Sequence, residues 1–215
     1  MKSRERKTIF VTGTGTGIGK TFVSAILTEA LHADYWKPVQ AGYSSITDSE
    51  WVMNEISNNK SVIHPEVYKL KLAASPHIAA KQEDITISLQ KIAAAVPQTG
   101  NDLVIEGAGG LMVPLNDHEF VTDLIAILDV PVVLVSRNTL GSINFSLLTA
   151  MACKQKNIRV LGWIFNDNYL DYEHDIVRWT GIPALSSIPF SPRPDSTFIK
   201  EQAKLVREKM NDWKW

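Results

Sequence analysis

Five side chains in this sequence are of the types that handle phosphoryl groups and divalent cations: Lys20, Thr21, Lys37, Asp48 and Glu106. Lys20 and Thr21 close the run Gly13-Thr14-Gly15-Thr16-Gly17-Ile18-Gly19-Lys20-Thr21. Such a run lets backbone N–H groups approach phosphate oxygens, brings a lysine to the β- and γ-phosphates and offers a hydroxyl to Mg²⁺. The usual glycine five residues before Gly19 is replaced by Thr14, with Gly13 one position earlier. The dinucleotide pattern G-x-G-x-x-G fails, because Ile18 or Lys20 falls where its last glycine belongs. The run therefore favours a nucleoside triphosphate over NAD.

The other three residues sit where strands end. Lys37 is followed by Pro38, and a lysine there faces either the ligand edge or solvent before a turn. Asp48 opens a helical pattern and suits either a helix cap or Mg²⁺. Glu106 ends Leu103-Val104-Ile105 and precedes Gly107-Ala108-Gly109-Gly110. A strand-terminal carboxylate opposite a phosphate loop holds Mg²⁺ or its waters, and the small residues allow backbone to approach a ligand. Ser136 to Asn144 joins a strand to a helix whose first amides could either receive an anion or simply be capped by Ser142. Phe165-Asn166-Asp167 and Ile188-Pro189-Phe190-Ser191 end two further strands and could face a purine or simply turn the chain.

These residues need a frame that gathers strand ends. Continuous apolar runs predict strands over Thr8–Thr12, Ala33–Pro38, Asp102–Glu106, Val130–Ser136, Arg159–Asn166 and Ala184–Ile188. Helical spacing predicts helices over Lys20–Leu31, Ser49–Asn58, Ile85–Ala95, Phe120–Leu128, Ser142–Lys156, Tyr172–Thr180 and Thr197–Asn211. The alternation implies a single α/β domain spanning residues 1–215. Its expected architecture is a doubly wound, mainly parallel sheet flanked by helices, Rossmann-like, of the P-loop NTPase kind. Ligands bind outside the carboxyl ends of strands in such sheets.

Bulk properties agree. A chain of 215 residues with 45% hydrophobic content fills one core. A net charge of −1, with both signs interleaved, gives no reason to expect nucleic acid or a membrane as partner. The apolar run behind the basic stretch Lys2–Lys7 ends at Gly13, too short for a signal-peptide core, and no segment is long enough to span a bilayer. A cytoplasmic protein is expected. Cys153, the single cysteine, sits in an apolar helical pattern and reads as a buried thiol. The five histidines show no zinc spacing, and no Gly-x-Ser-x-Gly elbow is present.

Taken together, the motifs resemble dethiobiotin synthetase. The resemblance rests on Val11-Thr12-Gly13-Thr14, Thr16 and Gly19-Lys20-Thr21, then Lys37-Pro38-Val39 and Ser75-Pro76-His77. It continues through Glu106-Gly107-Ala108-Gly109-Gly110 with Pro114-Leu115, and Gly141-x-Ile143-Asn144 with Leu148-Thr149-Ala150. Gly162-Trp163-x-x-Asn166-Asp167 and Ile188-Pro189 complete a set that runs in the family's order from about residue 8 to 191. The family's longer glycine spacing accounts for Thr14.

The resemblance implies an ATP-dependent ring closure of 7,8-diaminopelargonic acid with carbon dioxide. A carbamate attacks the γ-phosphate, and the second amine displaces phosphate from the mixed anhydride to give dethiobiotin and ADP. It assigns catalysis to Lys20 and Lys37, and Mg²⁺ to Thr21, Asp48 and Glu106. It places ATP against Gly17, Ile18, Gly19, Lys20, Thr21, Phe22, Asp48, Glu106, Gly107, Ala108, Gly109, Asn166, Asp167, Pro189, Phe190 and Ser191. The diamine would meet Thr16, Lys37, Ala41 and Gly110. Its carboxylate would meet Gly141, Ser142 and Asn144 of a neighbouring subunit, in a homodimer whose active site lies at the interface. Two positions depart from the family: Ala41 stands where a hydroxyl is common, a hydrogen bond worth ~1 kcal/mol, and Gly17 where some members carry an acid.

The rival with the same expected fold is a switch ATPase of the septum-site or plasmid-partition type that binds a protein partner. Those proteins carry an extra lysine early in the phosphate loop, where this chain has Thr14-Gly15, and often end in a basic amphipathic helix. The mixed charge from Lys200 to Trp213 does not match.

Overall fold

A computed structural model describes residues 6–167, 169–192 and 194–213; the basic residues Lys2 and Arg4 lie outside them. Nine strands are found among the described residues: β1 (Thr8–Gly13), β2 (Asp34–Trp36), β3 (Val39–Ala41), β4 (Ile63–His64), β5 (Tyr68–Leu70), β6 (Leu103–Glu106), β7 (Val132–Arg137), β8 (Val160–Asn166) and β9 (Ala184–Ile188). The helices are α1 (Lys20–Leu31), α2 (Asp48–Glu55), α3 (Pro76–Gln82), α4 (Leu89–Ala94), α5 (Val121–Leu128), α6 (Ser142–Gln155), α7 (Glu173–Thr180) and α8 (Ser196–Lys209). A 3₁₀ turn, Met210–Asp212, follows α8.

Seven strands form one sheet in the order β4-β2-β6-β1-β7-β8-β9. Every pairing in it is parallel, as in β1 with β6 (Val11 beside Glu106) and β1 with β7 (Gly13 beside Val135). β3 and β5 pair separately, also in parallel. Connections from β1 lead towards β2 on one side, and those from β7 lead to β8 and β9 on the other. The crevice of a doubly wound sheet opens at that reversal, above the carboxyl end of β1.

Burial on both faces explains the unbroken apolar strands. Ile9 and Val11 of β1 join Val23 and Ile26 of α1 and Ile199 and Val206 of α8 in one cluster. Phe10, between them, joins Trp36, Ile105, Leu134 and Trp163 on the opposite face. The period of two along β1 therefore feeds two cores at once. Cys153 belongs to the second cluster, and burial pushes its thiol up to about 12.

The structure corrects several expected boundaries. The strand expected over Ala33–Pro38 is shortened: β2 covers only Asp34–Trp36, Lys37-Pro38 breaks the ladder, and β3 begins beyond the break in a different sheet. Proline has no N–H to donate, which is the physical reason for the break. The helix expected over Ile85–Ala95 begins only at Leu89, capped by Ser88, whose side chain accepts from the Lys91 amide. Ser75-Pro76 instead starts α3, a helix missed by its spacing but signalled by proline in the first turn.

Candidate functional site

The phosphate loop is built at the end of β1. The Thr14 amide donates to the Val135 carbonyl at 3.1 Å, and the Leu111 amide to the Gly13 carbonyl at 3.1 Å, so the loop is pinned on both sides. Gly19 caps α1 with φ 91° and supplies no side-chain cap. A Cβ there would stand 2.1 Å from Nδ2 of Asn166, so only glycine fits. The first amides of α1 point into the crevice, where a helix N-terminus favours an anion. Lys20 folds back and donates to the Gly15 carbonyl at 2.7 Å. Burial lowers its pKa to about 8, with the charge of Lys37 adding to the effect and Glu106 opposing it.

Beside the loop lies a compact polar cluster. Lys37 is 4% exposed and donates to Oε1 of Glu106 at 2.6 Å and to Oδ2 of Asp48. The Thr21 hydroxyl donates to the same Oε1 of Glu106 at 2.8 Å. The Tyr35 hydroxyl donates to Oε2 at 2.8 Å. Burial works against the charge of Lys37, but Glu106 and then Asp48 outweigh it and hold the ammonium above its ordinary pKa.

Four elements deliver these groups: β2 with the residue after it, α2, β6 and α1. Lys37 leaves β2 at the proline break. Asp48 enters on the first turn of α2, and the cap expected of it belongs to Thr47. The Thr47 hydroxyl accepts from the Glu50 amide at 3.2 Å, while Glu50 accepts from the Thr47 amide at 2.6 Å. This capping box leaves the carboxylate of Asp48 free for Lys37. Gln40, which the sequence did not single out, joins the two elements: its Oε1 accepts from the Asp48 amide at 3.2 Å and its Nε2 donates to the Gly42 carbonyl at 2.8 Å. Only the fold brings position 40 beside position 48.

A cavity of about 850 Å³ opens above the cluster. Thr16, Gly17, Gly19, Lys20, Thr21 and Phe22 line one wall. Lys37, Ala41 and Asp48 line another with Glu106, Ala108 and Gly109, and Trp51 and Ser75-Pro76 join them. Phe22 also stacks on Phe198 of α8, with ring centroids 5.8 Å apart.

The remaining expected residues fall elsewhere. Gly107 lies under Phe10, whose ring a Cβ would meet at 2.7 Å, and Gly110 lies 3.1 Å from the Gly15 backbone by the same measure. Close packing is one reason for glycine at both positions. Ile18 faces the core beside β1, and its carbonyl accepts from Nδ2 of Asn166 at 3.0 Å. Asn166 thus buttresses the phosphate loop from β8. Asp167 pairs with Arg137 at 2.5 Å. Pro189 and Phe190 are exposed beyond β9, with Ser191 half-buried. Ser142 was expected to cap α6, but Gly141 holds that position with φ 92°, and the Ser142 hydroxyl meets that of Tyr172 at 2.6 Å. Asn144 is exposed on the first turn of α6. Gly141 to Asn144 form no part of the cavity wall.

The donor set fits Mg²⁺. This cation takes one or two carboxylates and completes its octahedron with waters and substrate phosphates. Thr21 bonds Glu106, and Lys37 links Glu106 to Asp48, so one hydroxyl and two carboxylates are gathered at one side of the cavity. Among the described residues, no cluster of three or more His, Cys, Asp or Glu side chains offers a metal cage. No helix among the described residues is long and apolar enough to cross a membrane.

Comparison with known proteins places this chain in a family. A family model described as an AAA domain matches residues 7–196. The ATP-dependent dethiobiotin synthetase BioD of Cytophaga hutchinsonii is 48% identical over 208 residues, covering 96% of this chain and 98% of that protein. The synthetases of the same name from Christiangramia forsetii and Brucella ovis are 44% and 46% identical, over 95% and 84% of this chain. Among solved structures, the cell division ATPase MinD of Pyrococcus furiosus has a TM-score of 0.60 at 16% identity, covering 97% of this chain and 99% of that one. A ParA family ATPase from Chlorobium tepidum has a TM-score of 0.54 at 14% identity, covering 96% and 91%. These structural likenesses establish the fold, a mainly parallel sheet flanked by helices, and the relatives establish the lineage. The chain belongs to the ATP-dependent dethiobiotin synthetase family.

Proposed function

We propose that this chain, acting as one domain over its whole length, converts 7,8-diaminopelargonic acid, carbon dioxide and ATP into dethiobiotin, ADP and phosphate. The observation that carries the reading is the meeting of Lys37, Asp48, Glu106 and Thr21 beside the phosphate loop at one cavity.

Phosphoryl transfer asks a protein mainly for position and charge neutralisation. Lys20 and the first amides of α1 hold the β- and γ-phosphates. Lys37, freed from one of its two carboxylates, bridges the carbamate oxygen and the γ-phosphoryl group. The carbamate oxygen bonds to phosphorus as the bond to ADP breaks. The second amine then attacks the carbonyl carbon, expels phosphate and closes the cyclic urea. Thr21, Asp48 and Glu106 would hold Mg²⁺, which neutralises phosphate charge when bound. Ala108 and Gly109 border ATP, and Thr16 and Ala41 border the diamine. Asn166, Asp167 and the segment Pro189–Ser191 border the purine.

The synthetase works as a homodimer on this reading. Leu140, Phe145, Leu148 and Met151, on and before α6, are 87%, 54%, 55% and 66% exposed, a group of apolar side chains that supports this reading. Gly141 to Asn144 begin that helix, and its uncapped amides suit the diamine's carboxylate across the interface. The reading puts the reaction in the cytoplasm, a compartment that supplies ATP.

The deciding experiment supplies purified protein with the diamine, ATP, bicarbonate and Mg²⁺ and follows dethiobiotin by mass spectrometry. Stoichiometric dethiobiotin and ADP are expected; ATP turnover without product would sink the reading.

A further inference from the structure

Tyr35 is a fully buried phenol with no place in the chemistry above, yet it touches the carboxylate at its centre. Its position follows from strand register. Tyr35 of β2 pairs in parallel with Val104 of β6. Glu106 lies two residues past Val104, so the two side chains emerge on the same face of the sheet. That face is packed by α1, and Tyr35 sits in the same cluster as Val23, Ile26 and Leu27.

The two oxygens of Glu106 are thereby divided. Oε1 faces Thr21 and Lys37 at 2.8 and 2.6 Å, towards the cavity. Oε2 faces away and accepts from Tyr35 at 2.8 Å. We infer that Tyr35 is a positioning residue that leaves Glu106 one oxygen to offer a divalent cation, and so sets the site's preference for Mg²⁺ over Ca²⁺.

The physical reason is coordination geometry. Mg²⁺ demands an octahedron and is served by one oxygen per carboxylate, whereas Ca²⁺ accepts a carboxylate through both oxygens in a looser shell. A carboxylate whose second oxygen is engaged by a rigid, packed donor cannot rotate to chelate. Tyr35 is fully buried, so no water competes for its hydroxyl and the hydrogen bond to Oε2 is held by the packing around it. Outer partners of this kind typically contribute 10–100-fold in metal affinity.

The inference rests on the reading of Glu106 as a cation ligand, and the test separates the two. Calorimetry measures how far Mg²⁺ and Ca²⁺ each tighten binding of a non-hydrolysable ATP analogue relative to EDTA. Tyr35→Phe should lower the Mg²⁺ enhancement about tenfold, lower the Ca²⁺ enhancement less or not at all, and leave EDTA binding unchanged. An unchanged Mg²⁺ enhancement in folded Tyr35→Phe, or an equal fall for both cations, overturns the inference. Adding Tyr35→Phe to Glu106→Gln should change nothing further; an additional loss would show that Tyr35 does not act through Glu106. If Glu106→Ala leaves the Mg²⁺ enhancement intact, the parent reading fails as well. One measurement needs no variant. In wild-type protein carrying ¹³C-labelled tyrosine, the Tyr35 hydroxyl proton should exchange slowly before and after Mg²⁺ and the analogue bind. Its rapid exchange in the bound state would overturn the inference even if Tyr35→Phe fails to fold.

Discussion

Lys37 carries two opposed demands. It must be charged to stabilise a transferring phosphoryl group, and it must be held still in a buried place. Asp48 and Glu106 answer both by pairing with it at the break after β2. Replacing Lys37 by Ala should cut kcat by about 10²–10³-fold, the usual cost of one preorganised donor, while binding of ATP to the loop persists; unaltered turnover would remove Lys37 from the reaction. Lys20 behaves differently, because burial brings its pKa to about 8. Phosphate groups arriving beside it favour its charged form and raise that value. ATP binding near pH 8 should therefore take up protons, and the uptake should fade below about pH 6.5, where Lys20 is charged already. Calorimetry in buffers of differing ionisation heat measures this, and uptake that is the same at both pH values would refute it. The sign for stability follows too. The folded pKa lies below the value of 10.5 for a free lysine, so the ligand-free fold gains stability as pH rises from about 8 towards 10.5.

At the scale of elements, the site depends on where helices and strands begin and end. The capping box of Thr47 and Glu50 fixes the first turn of α2 and with it Asp48. Thr47→Ala should destabilise the protein by ~1 kcal/mol, the usual worth of a helix cap, and should raise the Mg²⁺ concentration needed for half-maximal activity. A shift in melting temperature with no change in Mg²⁺ requirement would separate the cap from the site. Asn166 ties β8 to the phosphate loop through the Ile18 carbonyl. Loss of that tie in Asn166→Ala should weaken binding of ATP and of inorganic triphosphate alike. A loss confined to ATP would instead assign Asn166 to the purine alone.

At the scale of the whole molecule, the cavity and the start of α6 stand apart within one chain. A shared site predicts complementation: Lys20→Ala and Asn144→Ala, each inactive alone, should regain about a quarter of wild-type activity when equal amounts exchange subunits, the share expected of sites that combine two intact halves. No recovery despite verified exchange would argue against sites made by two subunits. Met151→Glu, on the exposed apolar face of α6, should shift the protein towards monomer in sedimentation and abolish product formation while ATP still binds.

Much of this was legible in the residues. The phosphate loop, the strand-terminal Glu106 and the alternation of apolar strands with amphipathic helices are local patterns, set by backbone freedom and by the periods of strand and helix. They indicated a parallel sheet, a triphosphate and a carboxylate beside it before any contact was known. Gly107 and Gly110 also pack closely against Phe10 and the Gly15 backbone, neighbours far away in sequence that no local pattern shows. The tertiary structure alone decided that Lys37 stands between Asp48 and Glu106, that Gln40 holds the Asp48 amide, that Asn166 supports the loop and that Tyr35 engages the far oxygen of Glu106. Each of these depends on strand order and register, which bring residues from separate elements within hydrogen-bond reach, and no period along one segment records which strand will lie beside it.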